Sequence, residues 1–104
     1  MVIYNVTVSL TPEIEEDWLK WIEEEHIPDM LETKKFEKAR LVKIYDDKQA
    51  ATGSYAVQYH AKSNQLLNAY LKEDATRLRK KTEDQFGDKL LSFRTFLNVL
   101  SEHS

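Results

Sequence analysis

The sequence contains no cysteine. That excludes disulfide scaffolds, cysteine-ligated zinc, iron–sulfur clusters and thiol nucleophiles, and it fits a reducing compartment. With two glycines and two prolines, the chain has no glycine-rich phosphate loop, collagen-like repeat or flexible linker. No apolar run approaches the roughly 18 residues of a membrane-spanning helix. The opening Met1-Val2-Ile3-Tyr4-Asn5 lacks a basic stretch followed by a long apolar one, so no secretory leader is expected. These absences predict a cytoplasmic protein with no membrane partner.

What is present suits one folded domain spanning residues 1–104. The 41% hydrophobic and 32% charged fractions are those of a chain that buries a core, not of a disordered one. The formal net charge is −3, which argues against a nucleic-acid partner. The basic cluster Arg77-Leu78-Arg79-Lys80-Lys81 does not reverse that argument. Glu73–Arg77 and Lys80–Asp84 are spaced as i,i+4 ion pairs, and Leu78 belongs to a core stripe, so the cluster reads as a solvated helix face.

Periodicity gives the element order. Val2, Tyr4, Val6, Val8 and Leu10 alternate with Ile3, Asn5, Thr7 and Ser9, as in a strand with one strongly apolar face. Thr11-Pro12 reads as an N-cap followed by proline at the first helical position. Glu13, Glu15, Glu16 and Asp17 then place negative charge where the helix dipole favours it. Ile14, Trp18, Trp21 and Ile22 form a buried helical stripe, and the next step of four lands on His26. Pro28 should interrupt or kink the helix there, and the apolar surface continues through Met30 and Leu31 to Thr33. Residues 36–45 read as a second strand, Asp46–Ser54 as a polar hairpin loop containing Gly53, and Tyr55–Ala61 as a third strand. Ser63 caps a second helix whose stripe is Leu67, Leu71, Ala75, Leu78, Thr82 and Phe86, with Gly87 at its C′ position. Residues 90–100 form the last strand. The order β-α-β-β-α-β predicts a ferredoxin-like α+β fold: a four-stranded antiparallel sheet with both helices on one face.

Two helices cover one side of such a sheet. The other side is expected to carry Ile3, Asn5, Thr7, Arg40, Val42, Gln58, His60, Ser92, Arg94 and Phe96. That mixture is too apolar for a solvated face. A second copy packing sheet to sheet is therefore expected, giving a homodimer with an enclosed interior.

The segments Ile3-Tyr4-Asn5-Val6-Thr7-Val8, Trp18-x-x-Trp21, Glu25-His26-Ile27-Pro28-Asp29-Met30, Tyr55-Ala56-Val57-Gln58-Tyr59 and Phe86-Gly87-Asp88…Phe93-Arg94-Thr95, in this order and spacing, resemble one bacterial family. It is domain-of-unknown-function family 4286, within the dimeric α+β barrel superfamily. The resemblance covers nearly the whole chain. It implies the ferredoxin-like fold and a homodimer, but no established activity. The superfamily includes cofactor-independent monooxygenases, haem-degrading enzymes, isomerases, chlorite-dismutase-like haem proteins and stress-response proteins, so membership leaves the chemistry open.

Two sets of residues are candidates for that chemistry. His26 extends the buried stripe and is the candidate catalytic residue, a neutral imidazole able to accept a proton. Its alternative role is to satisfy backbone groups freed by Pro28. Asn5, Arg40, Gln58, His60 and Arg94 are the candidate ligand-binding set, assigned to one sheet face; arginines enclosed there require carboxylates or an anionic ligand. The alternative is an interface hydrogen-bond network without a ligand. The haem-degrading branch has an asparagine on its first strand, which Asn5 matches. Its tryptophan lies later in the chain than Trp18 and Trp21, so no haem is expected. His26, His60 and His103 show no metal-ligand spacing, and neither metal nor cofactor is expected. Three functions remain open: a homodimer binding a small, anionic molecule between its sheets; a cofactor-independent monooxygenase or isomerase using His26 with Asn5 or Arg94; and a structural dimer without a ligand.

Overall fold

A computed structural model describes residues 1–48 and 51–104. Strands β1 (Val2–Leu10), β2 (Lys38–Tyr45), β3 (Ala51–Ala61) and β4 (Leu90–Asn98) form one sheet in the order β2-β3-β1-β4. All neighbours are antiparallel. Helices α1 (Glu15–Trp21) and α2 (Ile27–Glu32) follow β1; α3 (Asn64–Glu73) and α4 (Ala75–Phe86) follow β3. All four pack on one face, as expected for the ferredoxin-like fold. No helix among the described residues is long and apolar enough to cross a membrane.

The core lies between the helices and the sheet. Val2, Tyr4, Val8, Tyr55, Val57 and Tyr59 rise from the sheet to meet Trp18, Ile22, Met30, Leu67, Tyr70 and Leu78. Truncating one such large side chain costs about 2–5 kcal/mol, so this layer dominates the stability.

The first helical segment contains the interruption expected at Pro28, in an unexpected form. Residues Ile22–His26 make a π-helical turn, closed by the Ile27 N–H on the Ile22 carbonyl, and α2 begins directly after it. Proline has no N–H to give the carbonyl four residues back and crowds it. Widening the turn before Pro28 accommodates that defect without breaking the rod. Thr11 occupies the cap position before the Pro12–Ile14 3₁₀ turn, but its hydroxyl makes no capping bond. Ser63 does cap α3, its Oγ accepting from the Leu66 N–H 3.2 Å away.

The second helix expected from Ser63 to Phe86 is two helices. Asp74 departs from helical geometry at φ −122°, and its carboxylate receives Lys35 and Arg77, each at 3.0 Å. Arg77 thus pairs with Asp74 and not with Glu73, while Lys80 and Asp84 pair as expected at 3.2 Å. Gly87 ends α4 with φ +59°, a conformation that costs glycine little. β3 begins at Ala51, inside the loop expected over Asp46–Ser54, and the ladder shifts register between Ile44 and Tyr45. Residues 49 and 50 of that loop lie outside the described residues.

The largest correction concerns β4. Alternation places Ser92, Arg94 and Phe96 on one side and Leu91, Phe93 and Leu97 on the other, as the sequence indicates. The ladder pairs Tyr4 with Phe96, Val6 with Arg94 and Val8 with Ser92. Paired residues share a face. Ser92, Arg94 and Phe96 therefore stand on the helix side, not on the open side assigned to them from sequence. The open side of β4 carries Leu91, Phe93, Thr95 and Leu97 instead.

Candidate functional site

A pocket lies between the helices and the sheet. It has about 40 Å³ of free volume, and its walls include Val6, Val8, Trp18, Trp21, Ile22, Val57 and Leu90. A water needs roughly 10–15 Å³ measured in this way, so the space admits a few waters or a small organic fragment. Besides the indole N–H groups, its polar lining comes from His26, Tyr4, Tyr59, Tyr70, Arg79, Thr82, Ser92 and Arg94.

His26 closes the π-helical turn. In a regular helix it would sit beneath Ile22, four residues back. The widened turn sets it beneath Trp21 instead, with ring centroids 4.7 Å apart and 18° between the planes. Its Nδ1 is buried without a hydrogen-bond partner. Burial lowers its pKa to about 4; Asp29 opposes that shift, while Lys81 and Arg94 add to it. At neutral pH the ring is an uncharged imidazole on the pocket wall.

Opposite it, two guanidinium groups converge on one phenol. Arg94 donates from Nε to Tyr4 Oη at 2.9 Å, and Arg79 donates from an Nη to the same oxygen at 3.0 Å. Among the described residues no carboxylate forms an ion pair with either arginine. Tyr4 is buried among Phe36, Tyr59, Tyr70 and Phe96, which fix its ring. Tyr70 donates to Met30 Sδ at 3.2 Å, and burial raises the pKa of Tyr59 and Tyr70 well above the ordinary phenol range. Tyr55, by contrast, donates to Glu15 at 2.6 Å, and that bond leads the causes pushing its pKa to about 12.

The open face holds the other candidates. Across the four strands, Arg40, Gln58, Asn5 and Thr95 lie in one register row. Asn5 donates to Thr7 and Thr95 at 3.2 and 3.1 Å, and its Oδ1 is buried without a partner. His60 lies in the neighbouring row with Lys38, Ile3 and Leu97. Its Nδ1 is 3.3 Å from Met1 Sδ, and its pKa is lowered, first by burial and then by Lys38 and Arg40. The five residues grouped as one ligand-binding set thus separate: Asn5, Arg40, Gln58 and His60 on the open face, Arg94 behind the sheet with His26. Asn5 and His26 are on opposite sides of the sheet and do not share a pocket. Among the described residues no three histidine or acidic side chains cluster as metal ligands.

Arg79 belongs to a basic cluster that the sequence indicates as a solvated helix face, yet its guanidinium reaches Tyr4. A signal was available: Ala75, Leu78, Arg79, Thr82 and Phe86 are spaced as one helical stripe, and an arginine on such a stripe reaches inward.

Solved structures share this architecture. An ethyl tert-butyl ether d (ethd) family protein from Bacillus halodurans c-125 superposes with a TM-score of 0.73 at 12% identity, covering 96% of this chain and 100% of its own. A dimeric ferredoxin-like protein from an uncultured marine organism gives 0.70 at 11% identity, covering 98% and 96%. A proposed antibiotic biosynthesis monooxygenase from Nitrosomonas europaea gives 0.69 at 14% identity, covering 97% and 100%. At these identities the likeness is one of fold. No curated protein matches the chain in sequence. The sequence model of the family described as domain of unknown function (DUF4286) matches residues 1–100, and the chain belongs to that family.

Proposed function

We propose that this protein is a homodimer, formed through the open sheet faces, that binds a small molecule in the pocket between its helices and its sheet. The pocket between helices and sheet carries the binding half of the reading: apolar walls with a few convergent polar groups are the usual form of a small-molecule site. This shifts the ligand from the space between two sheets to the opposite side of the sheet, following Arg94.

Phe93 is 62% exposed and Leu91 73% exposed on the open face. Together with Ile3, Val42 and Leu97 they form an apolar field around the Asn5 row. Four strands about 4.8 Å apart and about nine residues long span roughly 600 Å² of flat face. Side-chain relief brings that toward the roughly 800 Å² per partner of a standard interface. Two solved neighbours are described as dimeric ferredoxin-like proteins, which supports the same assembly here.

A second reading is an enzyme of the cofactor-independent oxygenase or isomerase kind. It is favoured by the unpartnered His26 Nδ1 on the pocket wall. In that reading His26 takes a proton from a ligand carbon, and Arg94 steadies the oxygen on which charge develops.

The test combines native mass spectrometry with ligand-induced thermal stabilisation across a panel of small apolar molecules. The expected result is a two-chain species, with stabilisation by panel members that is lost when Ser92→Trp fills the pocket wall. A monomer at micromolar concentration overturns the dimer. Stabilisation unchanged by S92W, or absent for the whole panel, overturns the pocket.

A further inference from the structure

We infer that the Arg79–Tyr4–Arg94 cluster is a carboxylate-binding site, and that the pocket takes a small organic monocarboxylate. The inference rests on the pocket reading above and names the chemical class that fills it.

Two positive groups brought within hydrogen-bonding reach of one oxygen repel each other. An acid or solvent offsets such an arrangement; among the described residues no acid pairs with either, Arg79 being exposed and Arg94 half-buried. The donors are also left in surplus. Arg94 spends only Nε on Tyr4, and Arg79 only one Nη. Tyr4 accepts both bonds on its oxygen, so its own O–H hydrogen is left to donate. The remaining Nη groups and this hydroxyl are the donor set that a carboxylate satisfies with its two oxygens.

The three donors come from separate elements: Tyr4 from β1, Arg79 from α4 and Arg94 from β4. Their convergence is a product of the fold, and a bound anion would tie the edge strand to the helix above it. The apolar walls, Val6, Val8, Trp21 and Leu90, favour an organic body over an inorganic anion. A free volume of about 40 Å³ limits that body to a few carbons. A phosphate would leave the apolar walls bare.

The probes are isobutyrate, its neutral isostere isobutyramide, and inorganic phosphate. Binding is read by tryptophan fluorescence, since Trp18 and Trp21 line the pocket, and by the NMR signals of the arginine Nε–H groups. Isobutyrate is expected to bind at least tenfold more tightly than isobutyramide or phosphate and to shift the Arg94 Nε–H signal. R79Q and R94Q should each weaken it at least tenfold while leaving isobutyramide binding unchanged. Much of the Arg79 side chain is exposed although its guanidinium reaches Tyr4, so R79Q tests the site even if R94Q folds poorly. Equal binding of acid and amide overturns the carboxylate site and leaves the pocket standing. Phosphate binding as tightly as isobutyrate overturns the organic class. If no probe binds, the carboxylate inference falls; the wider apolar panel then decides the pocket separately.

Discussion

His26 lies flat against Trp21, with 4.7 Å between ring centroids and 18° between ring planes. The two are five residues apart, a spacing that an α-helix would turn to different sides. The contact exists because the helix widens for one turn ahead of Pro28.

Restoring an N–H at that position should undo the contact. In Pro28→Ala the carbonyl four residues back regains a donor, and the turn is expected to tighten to α-helical spacing. The His26 ring protons, shielded by the Trp21 indole in the wild type, should move downfield by NMR. Unchanged shifts would show that proline is not the cause of the widened turn.

The same ring sets a pH dependence. Its folded-state pKa of about 4 lies below the ordinary 6.5, so between these values the unfolded chain binds the extra proton. Stability from this group is therefore complete above pH 6.5 and is lost as pH falls toward 4. At pH 5 the loss is about 2 kcal/mol. Urea midpoints at pH 7 and pH 5 should show wild type losing about that much more than His26→Gln. Parallel losses in the two proteins would contradict the buried neutral imidazole.

The two phenylalanines of β4 separate assembly from packing. Phe93 faces the open side and Phe96, 55% exposed, the helix side beside Tyr4. Phe93→Glu is expected to yield monomers in analytical ultracentrifugation, while Phe96→Glu keeps the dimer. If F93E sediments as a dimer, the sheet-to-sheet arrangement is wrong.

Leu78 anchors α4 to the core, with 0% of its surface exposed. Leu78→Ala removes that anchor and leaves a void beneath the helix. Denaturant unfolding should report a loss of about 2–5 kcal/mol. A loss below about 1 kcal/mol would mean that α4 rides on the surface.

Much of this molecule is legible in its residues, and the illegible parts have definite causes. Tyr4, Val8, Trp18, Leu67 and Leu78 announce their buried positions because a strand repeats every two residues and a helix every 3.6. Alternation says which residues share a face; it does not say which face meets the core. In β4 the greasier set, Leu91, Phe93 and Leu97, belongs to the open side, and Arg94 goes to the helix side. That single inversion moved the candidate ligand site across the sheet. The break at Asp74 was hidden because the apolar stripe runs through it from Leu67 to Leu78, and Asp74 betrays itself only through its partners Lys35 and Arg77. The π-helical turn was visible as a proline defect, but the stacking of His26 on Trp21 depends on how the chain absorbs that defect.

β4 is an outermost strand held by β1 alone. A slip of one position along that ladder would exchange its two rows. The guanidinium of Arg94 would swing out to the open face, and the Phe93 ring would turn in to block the chamber. The chamber and the apolar row of the open face would then both be lost in one step, so the hydrogen bonds joining Val2–Leu10 to Leu90–Asn98 act as a latch common to both.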